Sequence, residues 1–351
     1  MIRVKRRYLL FPILVVILLA GCSVDIRIGG DSGLTEAEKH FNNGAELWEQ
    51  GLFEESITEY DEAIRLNPQF AMAYNNRGWN YYELGNFERA IEDYDEAIRI
   101  DPQHALAYIN RGAAYVMLGE YLLAIEDYNE NIRLDPQDSD AYYNRGGVYY
   151  VLGEYLPAIE DLDEAIRIDP QNADAYYTRG RAYYKLGDFQ RVIDDCNEAI
   201  HIDPQLAHAY YVRGLVYYNL GEIEQAIRDH DEAIRLDPTD LQTAKVFHNR
   251  GIIYADLGQF KRAIDDYNIA IQIDPNFTST YVSRGNAYVQ LGNLERAIED
   301  YSEAIRIDPH FAEAYYNRGL IYDKLGNFDQ AQADYNEAIS INPQLAQFAN
   351  Q

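Results

Sequence analysis

Apolar and small residues recur at spacings of three and four along most of the chain. In residues 71–104, Tyr74, Gly78 and Tyr81 share one face of a predicted helix. A second predicted helix follows with the same spacing, and its apolar and small residues are Ala90, Ile91, Tyr94, Ala97 and Ile98. The pattern therefore predicts two short amphipathic helices in succession.

Turn residues end both predicted helices. Gly85 suits the left-handed conformation that closes a helix, and proline in Asp101-Pro102 cannot continue one. Gly78 has no side chain, so a neighbouring helix can approach closely there. Two helices of this length cannot bury their apolar faces alone, so the unit must stack on another unit.

The same unit recurs nine times. Nine prolines are separated by 34 residues, except for one spacing of 37: Pro68, Pro102, Pro136, Pro170, Pro204, Pro238, Pro275, Pro309 and Pro343. A 34-residue period of helix pairs resembles the tetratricopeptide repeat. The resemblance implies an all-α, right-handed superhelical solenoid of stacked helix-turn-helix pairs. We predict nine repeats over residues 37–345, with a three-residue insertion at 241–243 and a C-terminal tail at 346–351.

The N-terminus has the pattern of a secretory signal. Four bases among the first seven residues precede an uncharged, apolar run of 13 residues, 8–20. The run ends in Leu19-Ala20-Gly21-Cys22, which resembles the lipobox of bacterial lipoproteins. This resemblance implies a signal peptide over 1–21, cleavage before Cys22 and lipidation of its thiol, with palmitate among the attached chains; an uncleaved signal anchor is the alternative.

The glycine-rich residues 22–36 are predicted to be a flexible tether. We therefore expect an extracytoplasmic protein, anchored by lipid to the bacterial cell envelope and, where the cell has an outer membrane, to that membrane. Several acyl chains give stable attachment where one would be marginal.

Composition excludes several classes of function. The chain has 58 acidic and 30 basic residues and a net charge of -28, which argues against nucleic acid as a partner. Two cysteines cannot form a disulfide scaffold, and seven histidines share no ligand spacing, so we expect no metal site and no cofactor. Cys196 and His230 replace a core tyrosine of the repeat, and we interpret them as buried rather than catalytic. No enzyme activity is predicted.

Charged residues also recur with the repeat. An arginine precedes the glycine of each first helix after repeat one, and an aspartate recurs in the second helix, as in Arg77 and Asp93. We predict a structural Arg–Asp ladder between stacked helices. On the outer face, Asp61 and Arg65 are spaced as an i,i+4 ion pair, and so are Asp95 and Arg99.

In tetratricopeptide proteins the first helices line a concave groove. Asparagine and aromatic side chains recur at the positions that the resemblance places there: Trp48, Asn76, Trp79, Tyr82, Asn110, Tyr143, Asn144, Tyr150, Tyr177, Tyr211, Asn249, Tyr316 and Asn317. Amides can bond to a peptide backbone, and tyrosine suits interfaces. We predict a scaffold or adaptor that binds a peptide or helix of a partner protein. The alternative is a carbohydrate-binding envelope protein that uses the aromatic rings, and a homo-oligomer through the C-terminal end stays open.

Overall fold

The computed structural model describes residues 28, 33–238 and 241–347. The predicted signal peptide 1–21, Cys22, most of the predicted tether and the end of the tail lie outside these residues. The described part of the chain contains eighteen α-helices, a short 3-10 helix over Pro343–Gln347 and no strand. None of its helices is both long enough and apolar enough to cross a membrane.

The helices alternate between two kinds, which we call A and B helices. The A helices are α1 (Glu36–Glu49), α3 (Ala71–Glu83), α5 (Ala105–Leu118), α7 (Ser139–Leu152), α9 (Ala173–Leu186), α11 (Ala207–Asn219), α13 (Leu241–Asp256), α15 (Thr278–Gln290) and α17 (Ala312–Lys324). The B helices are α2 (Phe53–Leu66), α4 (Phe87–Ile100), α6 (Tyr121–Leu134), α8 (Tyr155–Ile168), α10 (Phe189–Ile202), α12 (Ile223–Leu236), α14 (Phe260–Ile273), α16 (Leu294–Ile307) and α18 (Phe328–Ile341).

Local signals begin and end these helices, and those at Gly85 and Pro102 are the ones that the sequence predicts. Thr35 caps α1 in a capping box with Glu38. Gly85 follows α3 with a φ of +77°, which only glycine adopts without strain. Asp101 ends α4 in an extended conformation, because Pro102 disfavours helix in the residue before it.

The chain forms two compact units, residues up to Arg191 and residues from Val192 onward. Neighbouring A and B helices pack on each other in order along the chain, from α1 to α9 in the first unit and from α11 to α18 in the second. Successive A helices also touch each other, as α3 and α5 do, whereas the described B helices make no comparable contacts with one another. The A helices of the first unit (α1, α3, α5, α7 and α9) therefore form one continuous surface, which we call the A-helix face.

Glycines in the middle of the A helices accommodate B-helix side chains, most of which are buried. A Cβ at Gly78 would lie 2.9 Å from Cε1 of Tyr94, which is fully buried. Leu162, Cys196 and His230 occupy the same position as Tyr94 in later repeats, and they are fully buried too. The recurring tyrosine is therefore a packing residue, and it fits against an A helix at the glycine, where no side chain separates the two helices.

The insertion at 241–243 extends an A helix at its beginning. Helix α13 has 16 residues, whereas the other A helices have 13 or 14. The prediction of an all-α stack of helix-turn-helix pairs is confirmed, since the chain builds the same pair throughout its described part.

Candidate partner-binding face

The predicted Arg–Asp ladder is present. The guanidinium of Arg77 donates from Nε and Nη2 to both carboxylate oxygens of Asp93, at 2.9 and 2.6 Å. Bidentate pairs of this kind, at 2.6–3.0 Å, include Arg77–Asp93, Arg111–Asp127, Arg145–Asp161, Arg213–Asp229, Arg250–Asp266, Arg284–Asp300 and Arg318–Asp334. Each joins the A and B helices of one repeat.

The remaining guanidinium nitrogen of each ladder arginine, Nη1, donates to a side chain of the preceding repeat. Nη1 of Arg77 donates to Asp61 on α2 at 2.6 Å, and Nη1 of Arg111 donates to Asp95 on α4 at 2.5 Å. One guanidinium thus ties three helices together. Asp61 and Asp95 are consequently not paired with Arg65 and Arg99, and the predicted i,i+4 pairs are wrong.

Shorter-range pairs take their place on the outer surface of the B helices. Arg65 pairs with Glu62 and Arg99 pairs with Glu96, each over three residues at 2.5 Å. The glutamate side chain is long enough to reach the arginine, whereas the shorter aspartate points toward the next A helix. These exposed pairs contribute little to stability, because solvent and salt screen their attraction.

Burial and pairing act against each other in the ladder. Burial of Arg77 opposes its charge, but hydrogen bonds to Asp93 and Asp61 outweigh this effect and raise the arginine pKa. Burial also raises the pKa of the Asp93 carboxyl, against the hydrogen bonds from Arg77. A buried ion pair of this kind adds little net stability, but removal of one partner is costly. The ladder therefore has a structural role, and its carboxylates are not exposed for ligand binding.

Asparagines predicted to bind a partner join helices instead. Asn76, Asn110 and Asn144 are fully buried. Asn76 donates to the hydroxyl of Tyr60 at 3.2 Å, and Asn110 donates to the side-chain oxygen of Asn75 at 3.0 Å. These amides hold consecutive helices in register beneath the A-helix face.

Asparagines of the second unit make similar bonds from half-exposed positions. Asn249 donates to the hydroxyl of Tyr211 at 2.9 Å, and Asn317 donates to Asn286 at 3.3 Å. Tyr316 lies beside the ring of Tyr335, with centroids 5.8 Å apart. These residues remain within reach of solvent, but the amide Nδ2 atoms of Asn249 and Asn317 already donate to intramolecular acceptors.

The predicted aromatic residues differ in exposure. Trp79, Tyr143 and Tyr150 are buried, whereas Trp48, Tyr82, Tyr177, Tyr211 and Tyr316 are half-buried. Tyr82 stacks on Trp79 with ring centroids 4.8 Å apart and an interplanar angle of 11°. Because Trp79 is buried and Tyr82 stacks on one face of its indole, Trp79 offers no exposed face on which a sugar ring could stack.

The residues interpreted as non-catalytic are buried. Cys196 is fully buried, and burial raises the pKa of its thiol to about 12, so the reactive thiolate is strongly disfavoured. His230 is also fully buried, and both of its ring nitrogens lack a hydrogen-bond partner within the described chain. Burial, followed by the charge of Arg250, lowers the pKa of His230 to about 3. Both side chains are packing residues, as predicted.

Comparison with protein families gave matches along most of the repeat region. A model described as TPR repeat matches residues 44–79, 80–119, 117–153, 148–187 and 285–326. A model described as tetratricopeptide repeat matches residues 173–206, 207–240, 244–277 and 312–345.

The chain belongs to the tetratricopeptide repeat family. TPR repeats generally build non-enzymatic scaffolds, and family membership supports a role in protein interaction. The comparison with curated proteins gave no match.

Solved TPR structures resemble this chain. The crystal structure of the APC/C hetero-tetramer Cut9-Hcn1 matches with a TM-score of 0.59 and 17% identity, over 83% of this chain and 57% of that chain. The present chain therefore spans little more than half the length of that relative, and the similarity shows the fold alone. MamA matches at 26% identity and a TM-score of 0.44, over 48% of this chain and 96% of its own. YrrB, described as a TPR protein with an unusual peptide-binding site, matches at 26% identity and a TM-score of 0.44, over 51% and 92%.

One residue on the A-helix face was not among those predicted from the sequence. The guanidinium carbon of Arg181 on α9 lies 4.5 Å from the ring centroid of Tyr150 and 5.5 Å from that of Tyr177. Arg181 is the one charged residue among those that follow the recurring glycine of an A helix. Comparison of the repeats at that position would have revealed it.

Proposed function

We propose that the A-helix face binds an extended segment or helix of a partner protein. The observation that carries this proposal is that half-buried aromatic side chains recur on three A helices of the first unit, namely Trp48 on α1, Tyr82 on α3 and Tyr177 on α9. Tyrosine and tryptophan combine a large apolar surface with a polar tip, and they are enriched at the centres of protein interfaces. The face lies on a rigid support, so little ordering is needed when a partner binds.

The buried amides explain why the face is rigid. Asn75, Asn76 and Asn110 form a hydrogen-bonded network between α2, α3 and α5, and Asn80 donates to Ser56 on α2 at 2.9 Å. A fully buried polar network fixes one arrangement of its helices. The asparagines therefore position the aromatic side chains rather than contact the partner themselves.

We further propose that the protein works at the bacterial cell envelope as a lipid-anchored adaptor. The support is the resemblance of Leu19-Ala20-Gly21-Cys22 to a lipobox, together with the basic and apolar segments that precede it. The lipid would keep the bound partner near the membrane. Metabolic labelling with palmitate should mark the native protein but not Cys22→Ser, and only the native protein should fractionate with membranes. Equal labelling of the two proteins would contradict the anchor.

Selection of peptides tests the binding function. The purified full-length protein is exposed to a random peptide library, and captured peptides are compared with those captured by a Trp48→Ala, Tyr82→Ala, Tyr177→Ala triple variant. We expect at least about tenfold weaker capture by the variant, since each aromatic at an interface centre contributes a kilocalorie or more. Tyr121→Ala, at the beginning of B helix α6, is the control and should capture normally. Equal capture by the triple variant, with an unchanged circular dichroism spectrum, would reject this function.

A further inference from the structure

Arg181 is a half-buried cation without a carboxylate partner in residues 33–238 and 241–347. The ladder arginines, such as Arg145, lie at a similar depth and hold buried aspartates in bidentate pairs. The guanidinium of Arg181 instead lies over the rings of Tyr150 on α7 and Tyr177 on α9, at 4.5 and 5.5 Å. Cation–π contacts with two rings hold the guanidinium in place and leave its N–H groups available.

The repeat does not require a charge at this position. The corresponding residue is neutral in every other repeat: Ala45, Trp79, Ala113, Gly147, Leu215, Ile252, Asn286 and Leu320. These residues range from glycine to tryptophan, so the fold tolerates many sizes there. The repeat fold therefore does not explain why an arginine occupies position 181.

A second cation lies one turn further along the same helix. Lys185 is exposed, and the described residues offer it no carboxylate partner. Residues four apart lie on one side of a helix, where two like charges destabilise the helix. The chain carries a net charge of -28, so acidic side chains are abundant, yet none neutralises this pair. The arrangement favours a negatively charged ligand rather than the free protein.

We propose that Arg181 and Lys185 anchor side-chain carboxylates of an acidic peptide segment bound on the A-helix face. The planar guanidinium matches a carboxylate in bidentate geometry, and its fixed position reduces the entropy lost on binding. Lys185 supplies a point charge for a second carboxylate one turn away. The inference rests on the proposed peptide-binding function and adds to it the chemistry of the ligand.

The library selection distinguishes failure of this inference from failure of the proposed function. Peptides captured by the native protein should be enriched in Asp and Glu, and the enrichment should disappear with Arg181→Gln while capture itself continues. Capture without acidic enrichment would overturn the carboxylate site and leave the peptide-binding function standing. No capture at all would reject both.

A defined probe measures the site directly. The probe is a fluorescent decapeptide of alternating Glu and Ala with blocked ends, and its counterpart has Gln in place of Glu. We expect fluorescence anisotropy to show binding of the Glu peptide only, weakened by salt because exposed charges are screened. Arg181→Gln should weaken binding about tenfold or more, and Lys185→Gln a few-fold, as for charges that contact a ligand at an interface.

Lys324→Gln is the matched control, because Lys324 occupies the position of Lys185 in the ninth repeat and Leu320 stands in place of Arg181 there. It should bind the Glu peptide as the native protein does. Arg181→Lys keeps the charge but not the planar fork, so it should restore only part of the affinity. Unchanged binding by Arg181→Gln, or an equal loss in Lys324→Gln, would overturn the proposal.

Discussion

Replacement of His230 by leucine should stabilise the second unit and reduce its sensitivity to acid. His230 is fully buried on α12, beside Gly214 of α11, and neither of its ring nitrogens has a partner in the described structure. Leucine is a natural occupant of the position, since Leu162 fills it in the fourth repeat and is fully buried. The substitution removes polar atoms that lack hydrogen bonds and keeps a side chain of similar size.

The magnitude follows from the two effects. A buried polar atom without a partner costs about 1–3 kcal/mol, so the variant should be more stable by at least about 1 kcal/mol at pH 8. The acid effect comes from the pKa of His230, which burial and Arg250 lower from 6.5 to about 3. Above pH 6.5 both the folded and unfolded states carry a neutral imidazole, so the group has no effect on the pH dependence.

Below pH 6.5 the unfolded state binds a proton that the folded state does not bind until the pH approaches 3. Stability therefore falls as the pH falls through this window, with a loss of about 2 kcal/mol at pH 5. His230→Leu should abolish the part of the acid-induced loss of stability that His230 causes. His248, whose pKa burial lowers to about 4, remains and adds a further loss of about 2 kcal/mol at pH 5.

Urea unfolding at pH 8 and pH 5, followed by circular dichroism, measures both effects. Carboxylates titrate equally in the two proteins, so their contribution cancels in the difference between native and variant. Hydrogen exchange of α11 and α12 locates the change in the second unit. His310→Gln, at an exposed position, should leave the pH dependence unchanged. If native protein and His230→Leu lose the same stability between pH 8 and pH 5, the imidazole is not buried as described.

Two further predictions concern the first unit, and urea unfolding measures both. Arg111→Ala leaves the buried Asp127 without its bidentate partner and should cost about 3–5 kcal/mol. Arg99→Ala removes an exposed, solvent-screened pair on the outer surface and should cost far less. Equal costs would refute the structural role of the ladder. Gly112→Ala places a Cβ 2.7 Å from Tyr128 Cε1, so overpacking of about 1–3 kcal/mol should outweigh the helical preference for alanine. In a Tyr128→Ala background, Gly112→Ala should become stabilising by up to about 1 kcal/mol. If Gly112→Ala changed the stability in the same direction in both backgrounds, the close contact would be contradicted.

The helix pair and its turns could be predicted from the sequence, because the interactions that form them act between residues close together along the chain. The 34-residue period, the left-handed turn at Gly85 and the end of α4 before Pro102 depend on backbone sterics and hydrogen bonds within one unit. The ladder was also predictable, since Arg77 and Asp93 recur together in each unit and a buried charge requires a partner.

Distances between side chains of different repeats could not be predicted from the sequence. These distances decide which charges pair and which polar side chains are buried. Spacing along one helix predicted that Asp61 pairs with Arg65. Stacking of the repeats instead brings Nη1 of Arg77 within 2.6 Å of Asp61, and Asp61 pairs with Arg77. Asn76 carries the amide expected of a peptide-binding surface, yet contact with Tyr60 of the preceding helix buries it. The sequence by itself determined the repeating helix pair, because each element depends on its own neighbours along the chain. Only the tertiary structure decided which polar groups remain exposed, since burial is set by the helices of adjacent repeats, as it is for Arg181 between Tyr150 and Tyr177.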